Sequence, residues 1–104
     1  MNECIDEKEL PLRYVANTPA FRREAGTYGK DTKGIIRVHQ FDKIEMETFA
    51  APENGLAEQD FIIAIQEYLL QKLELPYQVM SVCTGDMGNM DYRQVDMNTS
   101  MPGQ

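Results

Sequence analysis

The sequence predicts an α+β fold, an antiparallel β-sheet with one packed helix. Three observations carry that prediction. Two β-rich runs flank a loop of about ten residues containing Gly26, Gly29 and Gly34, the pattern of a hairpin. Only residues 56–75 place apolar side chains at helical spacing. The remaining β-branched and aromatic stretches are short and end in turns rich in glycine or proline. About five strands and one helix follow from these signals.

Residues 1–9 form a polar lead-in. Residues 12–16 are a strand candidate that the Asn17-Thr18-Pro19 run is expected to end, and residues 20–25 are a second candidate. Residues 26–34 are a flexible loop, and residues 35–49 a long β-rich run. A turn at residues 50–55 contains Pro52. In the helix, Phe61, Ile62, Ile65, Leu69 and Leu73 make the apolar stripe; Asn54 is the expected cap and Pro76 forbids continuation. Residues 77–83 are a strand, residues 84–89 a turn with Gly85 and Gly88, and residues 91–101 a last strand before Pro102-Gly103-Gln104. A single helix covers one face of such a sheet and leaves the other bare.

The 104 residues allow one small domain or a piece of a larger one. A hydrophobic share of 42% and a charged share of 26% exclude a disordered tail. No run approaches the ~18 apolar residues of a membrane span. The acidic opening Met-Asn-Glu-Cys-Ile-Asp-Glu-Lys-Glu is neither a secretory nor a transit signal, so a cytoplasmic location away from membranes is expected. Cys4 and Cys83 have no second pair for a zinc knuckle and are expected as free thiols, with Cys83 buried.

The net charge is −7, yet it is unevenly placed. Arg22, Arg23, Lys30, Lys33 and Arg37 stand against Glu24 and Asp31 within residues 22–37, a local excess of positive charge in an acidic chain. Strand periodicity then sorts the side chains. Arg22 and Glu24 share a face, as do Arg37, His39, Phe41, Lys43 and Glu45. The opposite face holds Ile36, Val38, Ile44 and Met46 and reads as core, interrupted by Gln40 and Asp42. Arginine forks grip phosphate, a phenyl face stacks on a planar base, and carboxylates accept from amino groups. His39 has no partner nucleophile in view and is not expected to act as a base.

Phe-Arg-x-Glu at residues 21–24, a loop with glycine and lysine, then Arg-x-His-Gln-Phe-x-Lys-x-Glu at residues 37–45 resemble motif 2 of class II aminoacyl-tRNA synthetases, in the form found in the seryl-tRNA synthetase family. The resemblance extends to Leu75-Pro76-Tyr77, to residues 83–88 (Cys-Thr-Gly-Asp-Met-Gly) and to Met101-Pro102-Gly103-Gln104, and covers roughly residues 10 to 104. It implies that residues 1–104 are part of the class II catalytic core, with the motif 2 hairpin near 18–49, the helix near 56–75 and strands near 77–101.

The roles implied by the resemblance are specific. Arg22 would hold the ATP α-phosphate and stabilise the transition state as the serine carboxylate attacks. Glu24 would accept from the adenine amino group, Arg37 would hold the γ-phosphate, and Phe41 would stack under adenine. Arg23, Val38, His39 and Gln40 would complete the ATP-binding segment. Glu45 would contact serine and help reject alanine. Lys30 and Lys33 would lie near the tRNA acceptor end, the weakest of these assignments. The complete enzyme would use ATP, Mg²⁺, L-serine and tRNA(Ser), forming seryl-adenylate and then seryl-tRNA.

Motif 1, which forms the family's homodimer interface, motif 3 and the tRNA-binding coiled-coil arm are not in this sequence. No metal site is expected within it, and the isolated chain is expected to be inactive. The strand at Asp96-Met97-Asn98-Thr99-Ser100 departs from the family, with Asn98 and Ser100 in place of an acid and an aromatic. The alternative is a shortened paralogue that binds a nucleotide or adenylate, or that complements another chain, without catalysis.

Overall fold

The computed structural model describes residues 4–24 and 37–100, which fall into two compact units, 1–55 and 56–104. The predicted loop at 26–34, with Lys30 and Lys33, and the terminal residues 101–104 lie outside the described residues.

In the first unit, Asp6 caps a short 3-10 turn at Glu7–Glu9 through a capping box with Glu9. Two strands follow, β1 (Leu12–Phe21) and β2 (Gln40–Phe49). They pair antiparallel, from Leu12 opposite Phe49 to Phe21 opposite Gln40. β1 therefore runs straight through Asn17-Thr18-Pro19, where the sequence predicts a break. The hydrogen-bond phase explains why. The Arg22 N–H donates to the His39 carbonyl at 2.9 Å, so even-numbered residues of β1 face β2 with their backbone groups. Pro19 is out of phase with them. Its missing N–H lies on the outer edge, where the ladder loses nothing.

The second unit holds α1 (Gly55–Lys72), β3 (Tyr77–Ser81) and β4 (Val95–Thr99). β3 and β4 pair antiparallel, Tyr77 opposite Thr99. Hydrogen bonds from Val82 to Gln94 and from Ser100 to Pro76 extend the ladder by one step at each end. The described residues thus form two two-stranded sheets and one α-helix, rather than a five-stranded sheet. The class, α+β with antiparallel pairing, is as predicted.

Asn54 is not the cap of α1. It sits inside a 3-10 turn, Pro52–Asn54, that leads into the helix and is preceded by Ala51. Proline suits that first turn because its N–H would have no intrahelical partner. The helix ends in a Schellman arrangement. Leu75 N–H reaches the Leu70 carbonyl at 3.0 Å, Glu74 N–H reaches Gln71 at 3.1 Å, and Glu74 takes φ 55°. Pro76 then prevents further helix.

The sheltered helix face only partly matches the predicted stripe. Ile62, Ile63, Ile65, Gln66, Glu67 and Leu70 are half-buried, so Ile62 and Ile65 of the stripe are sheltered, whereas Phe61, Leu69 and Leu73 are exposed. The Tyr77 hydroxyl fixes the helix rotation, donating to Glu67 Oε1 at 3.0 Å and accepting from Gln71 Nε2 at 2.8 Å. At the other end of the helix, Gln59 donates to the Arg93 carbonyl and Arg93 pairs with Asp60 at 2.7 Å. Among the described residues only Ala51 is buried. Cys4 and Cys83 are free thiols, and Cys83 is exposed rather than buried. Of the expected core face of the hairpin, Met46 is half-buried and Ile36 lies outside the described residues, while Ile44 is 68% and Val38 38% exposed, with Val15 and Phe21 beside them at 72% and 71%.

Candidate nucleotide site on the hairpin

The β1–β2 register decides which side chains meet. Opposed residues sum to 61, so even positions of β1 share a face with odd positions of β2. One face therefore carries Ala16, Thr18, Ala20, Arg22 and Glu24 from the first strand and its extension. From the second it carries Arg37, His39, Phe41, Lys43 and Glu45. Arg22, Glu24, Arg37, Phe41 and Glu45, singled out from sequence, all belong to it. Arg23, Val38 and Gln40 belong to the other face, so any part they take in this site runs through their backbone groups.

The charged groups on the site face hold one another. Glu24 Oε2 accepts from Arg37 Nη1 at 2.8 Å, and Glu24 is the more sheltered of the two, 15% exposed against 40%. The Arg22 guanidinium lies over the Phe41 ring, 5.1 Å from its centroid. Lys43 Nζ pairs with Glu45 two residues along β2. His39 Nδ1 lies 3.1 Å from the Arg22 carbonyl. A carbonyl only accepts, so this contact requires the proton on Nδ1. His39 thus braces the backbone of Arg22 from both sides, through its ring and through its own carbonyl.

Glu24 has φ 49°, in the left-handed region. A non-glycine residue there carries strain of order 1–3 kcal/mol. The chain leaves the extended conformation at this point, and the Arg37 contact holds the carboxylate where it turns.

Sequence reasoning missed the role of the small residues. Ala16, Thr18 and Ala20 stand opposite Glu45, Lys43 and Phe41 and leave a low floor beside the larger groups. Their period-two pattern is visible in the sequence once β1 is read through Pro19. At the other end of the same face Tyr14 and Phe49 meet edge to face at 6.0 Å, closing it with apolar surface.

Two arginines, a half-buried aromatic and three carboxylates, Glu24, Glu45 and Glu47, thus stand over a floor of small residues, a grouping with the chemistry to meet anions and planar bases. The family model for the tRNA synthetase class II core domain (G, H, P, S and T) matches residues 1–104, and the chain belongs to that family. It is 52% identical over 103 residues to the serine–tRNA ligase of Pyrococcus abyssi, covering 99% of this chain and 23% of that protein. The crystal structure of seryl-tRNA synthetase from Pyrococcus horikoshii complexed with ATP superposes with a TM-score of 0.87 at 50% identity, over 98% of this chain and 23% of that one. Cytoplasmic serine-tRNA ligase from Naegleria fowleri in complex with AMP gives 0.84 at 39% identity, over 96% and 24%. The chain spans about a quarter of the length of these relatives. No helix among the described residues is long and apolar enough to cross a membrane.

Proposed function

We propose that this chain is the motif 2 portion of a serine–tRNA ligase and carries half of its ATP site. In the complete enzyme, serine and ATP give seryl-adenylate and pyrophosphate, and serine then passes to tRNA(Ser). The observation that carries this reading is the grouping at one end of the hairpin: the register puts Phe41 and Glu45 on one face, Arg22 lies over Phe41, and Glu24 bonds Arg37 just beyond the strands. Arg22 holds the α-phosphate, where charge builds up during attack by the serine carboxylate. Arg37 takes the γ-phosphate, Phe41 stacks on adenine and Glu24 accepts from its amino group. Glu45 receives the serine amino and hydroxyl groups. Catalysis is positioning and electrostatic stabilisation, with no side-chain nucleophile. Lys30 and Lys33 serve the tRNA acceptor end, and the enzyme works in the cytoplasm. The bound ATP and AMP named for the two related structures support the nucleotide assignment.

Mg²⁺ belongs to the complete enzyme in this reading. The described residues gather no carboxylate cluster for it: Glu24 and Glu45 are each engaged by a cationic side chain, and Mg²⁺ takes carboxylates together with waters and phosphate oxygens.

A second reading, a non-catalytic piece that completes a site on another chain, is favoured by the bare Val15, Phe21 and Ile44 face. One experiment separates the two. The chain is co-expressed with a polypeptide carrying motifs 1 and 3, and serine-dependent ATP–pyrophosphate exchange is measured against an Arg22→Ala control. Exchange well above the control supports the ligase reading. A stable complex without exchange supports the second, and neither complex nor exchange overturns both.

A further inference from the structure

We propose that the hairpin masks its own nucleotide site: Glu24 occupies Arg37, Arg22 occupies a face of the Phe41 ring, and a nucleotide binds by exchanging both contacts. This rests on the nucleotide reading above and adds a regulatory feature to it. The two contacts join the groups that the nucleotide would otherwise separate. The carboxylate assigned to the base sits on the arginine assigned to the terminal phosphate, at 2.8 Å. The guanidinium assigned to the α-phosphate lies 5.1 Å from the centre of the ring assigned to the base. Each is an intramolecular stand-in of matching chemistry, a carboxylate for a phosphate and a planar cation for a purine.

The exchange is directional. A phosphate group can displace Glu24 from Arg37, and the Glu24 carboxylate can then turn to accept from the base. Arg22 leaves the ring for the α-phosphate, and the ring face opens for stacking. Half of a nucleotide obtains only half of this. A phosphate chain without a base must displace Glu24 and gives it no new partner. A nucleoside without phosphate must displace Arg22 and gives it none. The apparent affinity for each half is lowered by the fraction of molecules in the masked arrangement. Whole ATP satisfies all four groups at once, so masking sharpens discrimination for the intact nucleotide over its fragments.

The test uses the 104-residue chain and calorimetry with inorganic tripolyphosphate, adenosine and ATP. Glu24→Gln is expected to bind tripolyphosphate about three- to fivefold tighter than the unaltered chain, equivalent to about 0.7–1 kcal/mol at 1.4 kcal/mol per factor of ten. Glu47→Gln, which removes a charge from the same face away from Arg37, is expected to change it less than about twofold, as for weakly coupled surface charges. Arg22→Ala is expected to bind adenosine tighter, and both Glu24→Gln and Arg22→Ala to bind ATP more weakly. Equal gains from Glu24→Gln and Glu47→Gln would reduce the effect to net charge and overturn the masking. A loss of tripolyphosphate binding in Glu24→Gln would make Glu24 a support for Arg37, overturning the masking while keeping the phosphate site. Absence of binding of any of the three probes to every protein would remove the nucleotide reading itself and the masking with it.

Discussion

Glu24 and Arg37 meet beyond the last paired residues of the hairpin, Phe21 and Gln40, with Oε2 2.8 Å from Nη1. The strand register, continued through the Arg22–His39 hydrogen bond, brings them together even though the regular ladder ends at Phe21 and Gln40. The ion pair thus ties the two strands at the loop end of the hairpin, and its contribution is measurable at the adjacent backbone bond. A double-mutant cycle with Glu24→Gln and Arg37→Gln, read from the exchange protection of the Arg22 amide, is expected to show a coupling of about 0.2–1 kcal/mol, the range of partly exposed pairs. Most of it is expected to vanish in about 1 M salt, where the screening length falls to about 3 Å. A coupling of zero at low salt would show that the pair does not tie the strands.

Pro19 gives a prediction about hydrogen-bond phase. It occupies an outward-facing backbone position, so Pro19→Thr is expected to leave the protection of the β1–β2 amides unchanged or slightly higher. Ala20→Pro moves the same ring by one residue into an inward-facing position. There it removes a ladder bond, at a cost of about 3 kcal/mol or more by analogy with proline in a helix interior. Two-dimensional NMR of the hairpin resonances distinguishes them: Ala20→Pro is expected to lose the Phe41 and Lys43 cross-strand contacts and Pro19→Thr to keep them. The reverse order would mean that the register is wrong.

How far the fold was legible depends on which period the residues obey. The site face was readable because Arg22 and Glu24 keep period-two spacing on one strand and Arg37, Phe41 and Glu45 on the other, and motif spacing joined the two strands. The break expected at Asn17-Thr18-Pro19 was a local turn signal overridden by pairing, since a strand edge tolerates the proline. The helix face was harder. Leu56, Phe61, Leu69 and Leu73 are apolar but exposed, so α1 is apolar on more than one side and the sequence does not mark which side meets the sheet. The answer came from a polar group, the Tyr77 hydroxyl between Glu67 and Gln71. The burial expected for Cys83 and Ile44 presumed cover that the described residues of their own units do not provide.

The end of α1 predicts a stabilising change. Glu74 holds the left-handed position of the Schellman arrangement with φ 55° and a Cβ that disfavours it. Glycine takes that backbone without the penalty. Glu74→Gly is expected to stabilise the second unit by up to about 1 kcal/mol, the order of cost of a left-handed L-residue. It should strengthen exchange protection at the Leu73 and Leu75 amides. Glu74→Ala keeps the Cβ and is expected to give no such gain. Equal effects from the two would place the cause in the lost carboxylate rather than the backbone.

Gly88 and Asp91 bond each other twice in the turn before β4. Asp91 Oδ2 accepts from the Gly88 N–H at 3.1 Å, while the Asp91 N–H returns to the Gly88 carbonyl at 3.0 Å. A Cβ built on Gly88 would lie 2.8 Å from the same Oδ2. The obstacle is the end of a short side chain, which can rotate away only by giving up the bond it accepts. Gly88→Ala is therefore expected to cost about 1 kcal/mol, the net worth of one such hydrogen bond. Asp91→Ala is expected to cost a similar amount. Combining them should cost little more than either, because both remove the same bond and neighbours of this kind are not additive. Denaturant titration of the single and double variants checks this. Additive losses would mean that Gly88 is required for its backbone conformation rather than for the room it leaves Asp91.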